Sequence, residues 1–166
     1  SVGDVPTQAS TVSRGTSGVL VGGAAGAVDV DLELFVDGVL EYFHNNANPG
    51  TDDVFADVGA RLVVHTLLGA TTVFDGSVRV GTDASGDGLV TRSGDWAAPL
   101  RDGDFAPGAC GAFSCDLGVD AAMVFDDALF VNSGETFAVE VELTTAAYMF
   151  NGFEIEALSD FLNTGS

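Results

Sequence analysis

The sequence predicts an all-β protein, an antiparallel β-sandwich of jelly-roll type with roughly eight to ten strands in two sheets. Apolar and polar residues alternate over several stretches, and a side-chain period of two with one wet face is typical of antiparallel sheet. The chain also holds 22 glycines among its 166 residues, which favours many short strands joined by turns. The clearest alternating run comprises Phe137, Val139, Val141 and Leu143.

The N-terminal part differs in composition from the rest of the chain. It is rich in Ser and Thr, and a strand-like run with Val19, Leu20 and Val21 follows just before a glycine-rich link. We therefore divide the chain into an extended N-terminal arm, residues 1–26, and a single β-sandwich domain, residues 27–166. Val19, Leu20 and Val21 are the predicted assembly residues. Through them the arm either packs on its own domain or pairs, as a donor strand, with a neighbour's sheet edge.

The first half of the domain contains two well-marked strand patterns. Residues 27–36 repeat the alternating pattern, and Asp37-Gly38 then predicts a hairpin turn. Residues 59–69 are apolar at nearly every position, which predicts a central strand covered on both faces. We expect His65, which lies in this second run, to be a core residue rather than a ligand or a catalytic base.

The middle of the chain has weaker periodicity. We expect a strand pair or a bent strand over residues 71–80, broken at Asp75-Gly76. Residues 81–120 carry many acidic turn residues and predict a long loop-rich insertion with a functional or assembly role, to which Trp96 would supply a small satellite anchor.

The C-terminal third returns to alternation. Residues 121–132 predict a strand with a turn at Asp126-Asp127. Asn151-Gly152 separates the alternating run described first from a shorter alternating run, and Asn-Gly in this position is the strongest local hairpin signal. The sequence therefore predicts a long C-terminal hairpin.

Charge is the dominant compositional feature. The chain has 25 acidic residues against five Lys and Arg, all of them Arg, and a formal net charge of −20. Such a field repels nucleic acids and anionic membranes, so we predict no nucleic-acid partner. No apolar run approaches the roughly 20 residues that span a bilayer, so we also predict no membrane insertion. If their strands share a sheet, the outward carboxylates would form one acidic face from Asp29, Asp31, Glu33, Glu140, Glu142, Glu154 and Glu156.

The only two cysteines are Cys110 and Cys115. Their spacing fits a small closed loop, and neither a zinc site nor a redox motif is indicated. We predict a local disulfide and hence an oxidising, extracytoplasmic location, with two buried free thiols as the alternative.

A half motif for calcium lies in the middle of the chain. Asp83, Ser85 and Asp87, followed by Gly88, match the first half of a D-x-[DNS]-x-D-G loop. Asp95 comes one residue after the twelfth position, where the loop needs its last carboxylate. We take Asp83, Ser85, Asp87 and Asp95 as a candidate Ca²⁺ site, with an ordinary acidic turn as the alternative.

No arrangement in the sequence indicates catalysis. It contains no serine elbow, phosphate-cradling loop or metal-ligand spacing, and neither histidine accompanies a nucleophile. With so many carboxylates present, a pair of acidic catalytic residues has no specificity. We predict that the protein is not an enzyme.

The segment A-L-S-D-F-L-N-T, residues 157–164, resembles the A-x-x-D-F-x-N-T signature near the C-terminus of bacterial PEP-CTERM (exosortase-sorted) surface proteins. The acidic, glycine-rich character of the chain is similar to theirs, although the family's sorting tail does not follow the motif here. The resemblance implies a non-catalytic role in extracellular matrix, biofilm or floc.

The function we predict is a secreted structural protein of the cell surface or extracellular matrix, a filament subunit that assembles by β-strand addition of its N-terminal arm. Its partners would be copies of itself or matrix polysaccharide. One alternative is a calcium-dependent carbohydrate-binding module with Trp96, Tyr42 and Tyr148 as its aromatic residues. Another is a salt-adapted surface domain whose acidity serves only solvation.

Overall fold

The computed structural model describes residues 7–22, 26–44, 54–83, 85–97, 105–107, 110–111, 113–149 and 155–162. Every regular element in these ranges is a β-strand. The strands are β1 (Thr7–Leu20), β2 (Ala27–His44), β3 (Val54–Thr66), β4 (Gly69–Thr82), β5 (Gly88–Gly94), β6 (Phe105–Pro107), β7 (Ser114–Asn132), β8 (Thr136–Met149) and β9 (Ile155–Leu162).

These strands form two antiparallel sheets. The large sheet has five strands in the order β1-β8-β3-β4-β5, and the small sheet has four in the order β6-β7-β2-β9. All described neighbours pair in the antiparallel sense, so the predicted all-β sandwich is confirmed. Jelly-roll winding stays a prediction. The nested pairs β1·β8 and β2·β7 suit it, whereas β3, β4 and β5 are simply successive neighbours.

An apolar core fills the space between the two sheets. Every second side chain of β3 is buried from Val54 to Leu62, because one face of this central strand lies on the core. Leu40 of β2, Val78 of β4 and Val119 of β7 belong to the same cluster. Burying one such side chain contributes about 1.5–3 kcal/mol, so this core is the main source of stability.

Trp96 is part of this main core and not a satellite anchor. Its side chain is 0% exposed, and its ring meets that of Phe74 edge to face with the centroids 5.4 Å apart. The prediction of a loop-rich insertion over residues 81–120 is wrong for much of that range. β5, β6 and the beginning of β7 lie within it. β5 pairs with β4, β6 pairs with β7, and β7 pairs with β2.

Two predicted turns are absent, since β2 and β4 run straight through them. Asp37 pairs with Asp120 of β7 on one side and with Leu162 of β9 on the other. Ladder hydrogen bonds on both sides therefore outweigh the local turn preference of Asp37-Gly38. Gly76 of β4 is buried, and a Cβ there would lie 3.0 Å from the main-chain nitrogen of Trp96. In β4 glycine makes room for the indole instead of turning the chain.

The turn predicted at Asp126-Asp127 is a β-bulge inside β7. Asp127 has a φ of 54°, and the β2·β7 register shifts between Val30 and Leu32. The main-chain N–H of Asp127 donates to Asp31 Oδ1 at 3.0 Å. Asp126, Asp127 and Ala128 thus lie opposite Asp31 alone, and β7 accommodates two extra residues without ending.

The predicted C-terminal hairpin is wrong. β8 lies in the large sheet between β1 and β3, whereas β9 lies at the edge of the small sheet and pairs with β2. Asn151-Gly152, the predicted turn, lies outside the described residues. β8 and β9 thus lie in different sheets and do not pair with each other as the sequence predicts.

Candidate functional site

β1 forms one edge of the large sheet. It pairs with β8 in unbroken register from Thr7 opposite Met149 to Leu20 opposite Thr136. The predicted arm is therefore an edge strand in its own domain. Its other side carries no strand in the described part of the chain, and an open strand edge is a template for pairing with another chain.

The side chains of β1 contribute almost nothing to the core. Every one from Gln8 to Leu20 is exposed, including Val12 at 57%. The inner side of β1 borders an open cleft of about 680 Å³, whose other walls include Leu32 of β2 and Val139 of β8. β1 is accordingly attached by its main-chain ladder and by an ion pair between Arg14 and Glu142.

The three predicted assembly residues differ in environment. Val19 and Leu20 are exposed, Leu20 at 69%, whereas Val21 is half-buried and packs against the cluster of Val64, Val131 and Phe137. The main chain of Val21 is also bonded to the turn between β7 and β8, from Gly134 N–H to Val21 O at 2.8 Å. Val21 therefore fixes the end of the strand, and Val19 and Leu20 are the free apolar pair.

The large sheet is electrically balanced. Its strands contain the carboxylates of Asp57, Asp75, Glu140 and Glu142 and the guanidinium groups of Arg14, Arg61, Arg79 and Arg92. Its ion pairs include Arg79 Nη2 with Asp57 Oδ2 at 2.8 Å. The hydrogen bond and charge of Glu142 raise the pKa of Arg14. Each of these groups is at the surface, so the pairs hold positions more than they add stability.

The small sheet has a different charge pattern. Its strands contain no Lys or Arg, and Asp37 lies directly opposite Asp120 as Glu41 does opposite Asp116. The predicted single acidic face is thus wrong in its membership. Glu140 and Glu142 lie on the large sheet, and Glu154 lies outside the described residues. The acidic residues in the sequences of the small-sheet strands are Asp29, Asp31, Glu33, Asp37, Glu41, Asp116, Asp120, Asp126, Asp127, Glu156 and Asp160.

Cys110 and Cys115 form the predicted disulfide at one end of the sandwich. The hydroxyl of buried Tyr42 donates to the carbonyl oxygen of Gly111 inside this loop, at 3.1 Å. Burial, followed by the nearby charges of Asp83 and Asp87, raises the pKa of Tyr42. The disulfide loop and the predicted calcium turn are therefore neighbours around one tyrosine.

The calcium turn itself is closed by its own hydrogen bonds. Asp83 Oδ1 accepts from the main-chain N–H of Ser85 at 2.7 Å and of Asp87 at 2.9 Å. The three residues are thus brought together. Asp95 is not, since the whole of β5 separates it from them and its Oδ2 accepts from Asp75 N–H at 2.7 Å. Asp95 therefore does not belong with the other three predicted ligands, because it lies at the opposite end of the β4–β5 hairpin.

Calcium at Asp83, Ser85 and Asp87 stays a prediction. In the ranges that the structure describes, no three His, Cys, Asp or Glu side chains are grouped in a way that could hold a metal ion. His65 is not a core residue as expected. It is half-exposed on the outer face of the large sheet, with Nε2 2.9 Å from Glu140 Oε2.

The aromatic residues of the carbohydrate-binding alternative do not form a platform. Trp96 is 0% exposed and Tyr42 is 2% exposed. Tyr148 alone reaches the outer face, where it stacks on Phe55 with centroids 5.2 Å apart while Arg79 lies 3.9 Å above the same Phe55 ring.

Sequence reasoning did not predict that the inner side of β1 has few large apolar side chains. The signal was present, because residues opposite the buried face of β8 are small or polar. Ser13 lies opposite Leu143, Gly15 opposite Val141 and Ser17 opposite Val139. A strand whose inner side carries mainly small or polar residues contributes little to the core.

Comparisons with known proteins add little. No protein-family model and no curated protein matches the chain. Among solved structures, the tailspike protein of Acinetobacter baumannii phage AM24 aligns at 12% identity with a TM-score of 0.23. The alignment covers 91% of this chain and 28% of the tailspike, and a TM-score this low carries no argument. In the described ranges, no helix is long and apolar enough to cross a membrane. Fold and site together define a two-sheet antiparallel β-sandwich whose edge strand β1 has exposed side chains.

Proposed function

We propose that this chain is a secreted structural protein of the cell surface or extracellular matrix that forms polymers by exchanging β1 between copies. In the polymer, β1 of one copy pairs with β8 of the next, in the register that it otherwise makes within its own domain. The observation that carries the proposal is the exposure of every side chain from Gln8 to Leu20 in a strand with a complete main-chain ladder.

The energetics favour exchange over simple unfolding. No side chain of β1 from Gln8 to Leu20 is buried, so releasing the strand removes none of its own side chains from the core. The ladder lost within one domain is regained in the next, since the same residues meet. Exchange of an identical element is a low-cost route to assembly, and the net balance depends on protein concentration.

Secretion is supported by two independent observations. The disulfide between Cys110 and Cys115 is a bond that persists in oxidising compartments. The resemblance of residues 157–164 to the exosortase-sorted signature points to the same compartment. Residues 157–162 lie in β9, and 163–164 lie outside the described residues.

Two truncations test the role of β1. Removing residues 1–20 deletes the strand and keeps Val21, whereas removing residues 1–22 also deletes that anchor. We expect the shorter truncation to give a folded monomer that forms no polymer, because no core side chain is lost. Fluorescence of Trp96, the single tryptophan, reports on folding, and negative-stain electron microscopy reports on polymers. Polymers that persist without residues 1–20, or a full-length protein that stays monomeric at high concentration, would refute the proposal.

A further inference from the structure

The outer face of the large sheet carries a polar depression that no function above uses. It has a volume of about 680 Å³ and lies over Gly59, the residue of β3 that leaves a gap in this face. One row of cross-strand neighbours forms its floor. The row runs from Thr144 of β8 through Gly59 to Ser77 of β4 and Ser93 of β5.

The floor presents a line of hydroxyl groups. Ser77 Oγ lies 2.6 Å from Ser93 Oγ, and the Thr144 hydroxyl donates to the Gly59 carbonyl oxygen at 3.3 Å. The absence of a side chain at Gly59 is required here, because a Cβ would lie 2.6 Å from Thr144 Oγ1. The depression therefore exists because this position is glycine.

Ion pairs stand on both sides of this row along the strands. Asp57 and Arg79 flank it on one side, and Arg61 with Asp75, whose Nε and Oδ2 are 3.9 Å apart, on the other. Each pair offers guanidinium donors next to carboxylate acceptors. Vicinal hydroxyl groups, which both donate and accept, complement such pairs better than a simple cation or anion does.

The size and charge of the region define the class of ligand. From Phe55 to Arg61 the outer face extends about 20 Å along β3 at the usual rise per residue, which is long enough for several sugar rings. The depression is lined by Arg61 and by the carboxylates of Asp75, Asp95 and Glu142, of which Asp75 pairs with Arg61 and Glu142 with Arg14. In a chain with net charge −20 an anionic polymer is repelled, and a cationic one is drawn more strongly to the small sheet, whose strands contain no Lys or Arg.

We infer that the depression over Gly59 binds a neutral polysaccharide. Ser77, Ser93 and Thr144 contact the sugar hydroxyls from below, and Arg61 and Asp75 hold them from the side. Binding needs neither calcium nor polymer formation, so this inference stands independently of the proposed function.

Affinity electrophoresis in native gels tests the inference, with a soluble α-glucan, β-glucan or galactomannan in the gel and alginate as an anionic control. We expect at least one neutral polysaccharide, and not alginate, to retard the protein with excess chelator present. Arg61→Ala removes donors and Ser93→Leu fills the depression. Each substitution should lower the affinity measured from the retardation about tenfold, which is the effect of losing one or two hydrogen bonds to a ligand.

Matched controls separate this site from the rest of the surface. Arg92→Ala removes an arginine from the same sheet but not from the depression. Arg92 is the cross-strand partner of buried Val78, so it lies on the inner face of the sheet. Ser114→Leu adds the same bulk on the small sheet. Both should bind like the unaltered protein, with Trp96 fluorescence confirming that every variant is folded. The inference is overturned by a protein that no neutral polysaccharide retards, or by controls that weaken binding as much as Arg61→Ala and Ser93→Leu do.

Discussion

Asp37 of β2 and Asp120 of β7 lie directly opposite each other on the outer face of the small sheet. Both side chains are exposed, and the strands around them carry no Lys or Arg. Like charges in this position destabilise a sheet, by a fraction of a kcal/mol to about 1 kcal/mol. The small sheet therefore folds against its own charge, whereas the large sheet does not.

This contrast predicts opposite effects for the same substitution on the two sheets. Asp120→Asn should raise the free energy of unfolding by about 0.2–1 kcal/mol in low salt, because it relieves repulsion from Asp37. Asp57→Asn should lower it by a similar amount, because it breaks the pair with Arg79. Urea denaturation measures both. Near 1 M salt, where the Debye length is about 3 Å, the two differences should shrink, and the same sign for both variants would contradict this account of the charges.

Tyr42 gives the protein a defined sensitivity to alkaline pH. Its pKa is raised in the folded state, chiefly by burial, so its full contribution to stability is present below the unfolded value of 10.0 and is lost as the pH rises through the folded value. Tyr42→Phe should lower the free energy of unfolding by about 0.5–1.5 kcal/mol at neutral pH, through loss of the bond to Gly111.

Above about pH 10 the difference in free energy of unfolding between the two proteins should become smaller, because only the unaltered protein has a Tyr42 to ionise on unfolding. Urea denaturation of both proteins at neutral pH and at about pH 11 measures this change. Stability curves that fall in parallel through the alkaline range would show that Tyr42 ionises as freely in the folded state as in the unfolded one.

The calcium prediction separates two acidic residues of similar local sequence. Excess chelator should lower the melting temperature of the unaltered protein, since removing a ligand of the folded state lowers its stability. Asp87→Asn should abolish this response, whereas Asp95→Asn, at the far end of β5, should keep it. Thermal melting followed by Trp96 fluorescence measures the response. If chelator changes neither melting nor assembly, the calcium prediction is wrong and the turn is held only by its own hydrogen bonds.

The strands themselves could be predicted from alternation, because burial on one face imposes it. Phe137 and Leu143 are buried as expected, while Glu140 and Glu142 between them point outward to His65 and Arg14. Alternation does not indicate which strands pair with each other. β8 pairs with β1, which lies far away in the sequence, and no local pattern encodes that choice.

Turn signals failed where tertiary pairing was stronger. Asp37-Gly38 has the residues of a tight turn, yet strands on both sides fix Asp37 in an extended conformation. The distribution of charged residues between the two sheets could not be predicted from the sequence either. Composition gives the total charge, but only the assignment of strands to sheets places Arg61 and Arg79 on one side and Asp120 on the other.

Exchange of β1 can be tested by disulfide trapping in the register of the β1·β8 pair. Ser10 and Ala146 are Cα partners, and opposed residues of antiparallel strands are close enough for a disulfide. The double variant Ser10→Cys/Ala146→Cys can close the bond within one chain and is the positive control. Ser10→Cys mixed with Thr136→Cys is the negative control, because Thr136 lies opposite Leu20 at the other end of the strand.

The decisive sample is a co-refolded mixture of the two single variants, Ser10→Cys and Ala146→Cys, analysed on a non-reducing gel after mild oxidation. Because each chain then carries only one partner of the pair, a bond between positions 10 and 146 can form only between two chains. We predict a cross-linked species of twice the chain mass that is absent from the negative control and disappears on reduction. A mixture that stays uncross-linked, while the double variant closes its bond within the chain, would show that β1 remains in its own domain.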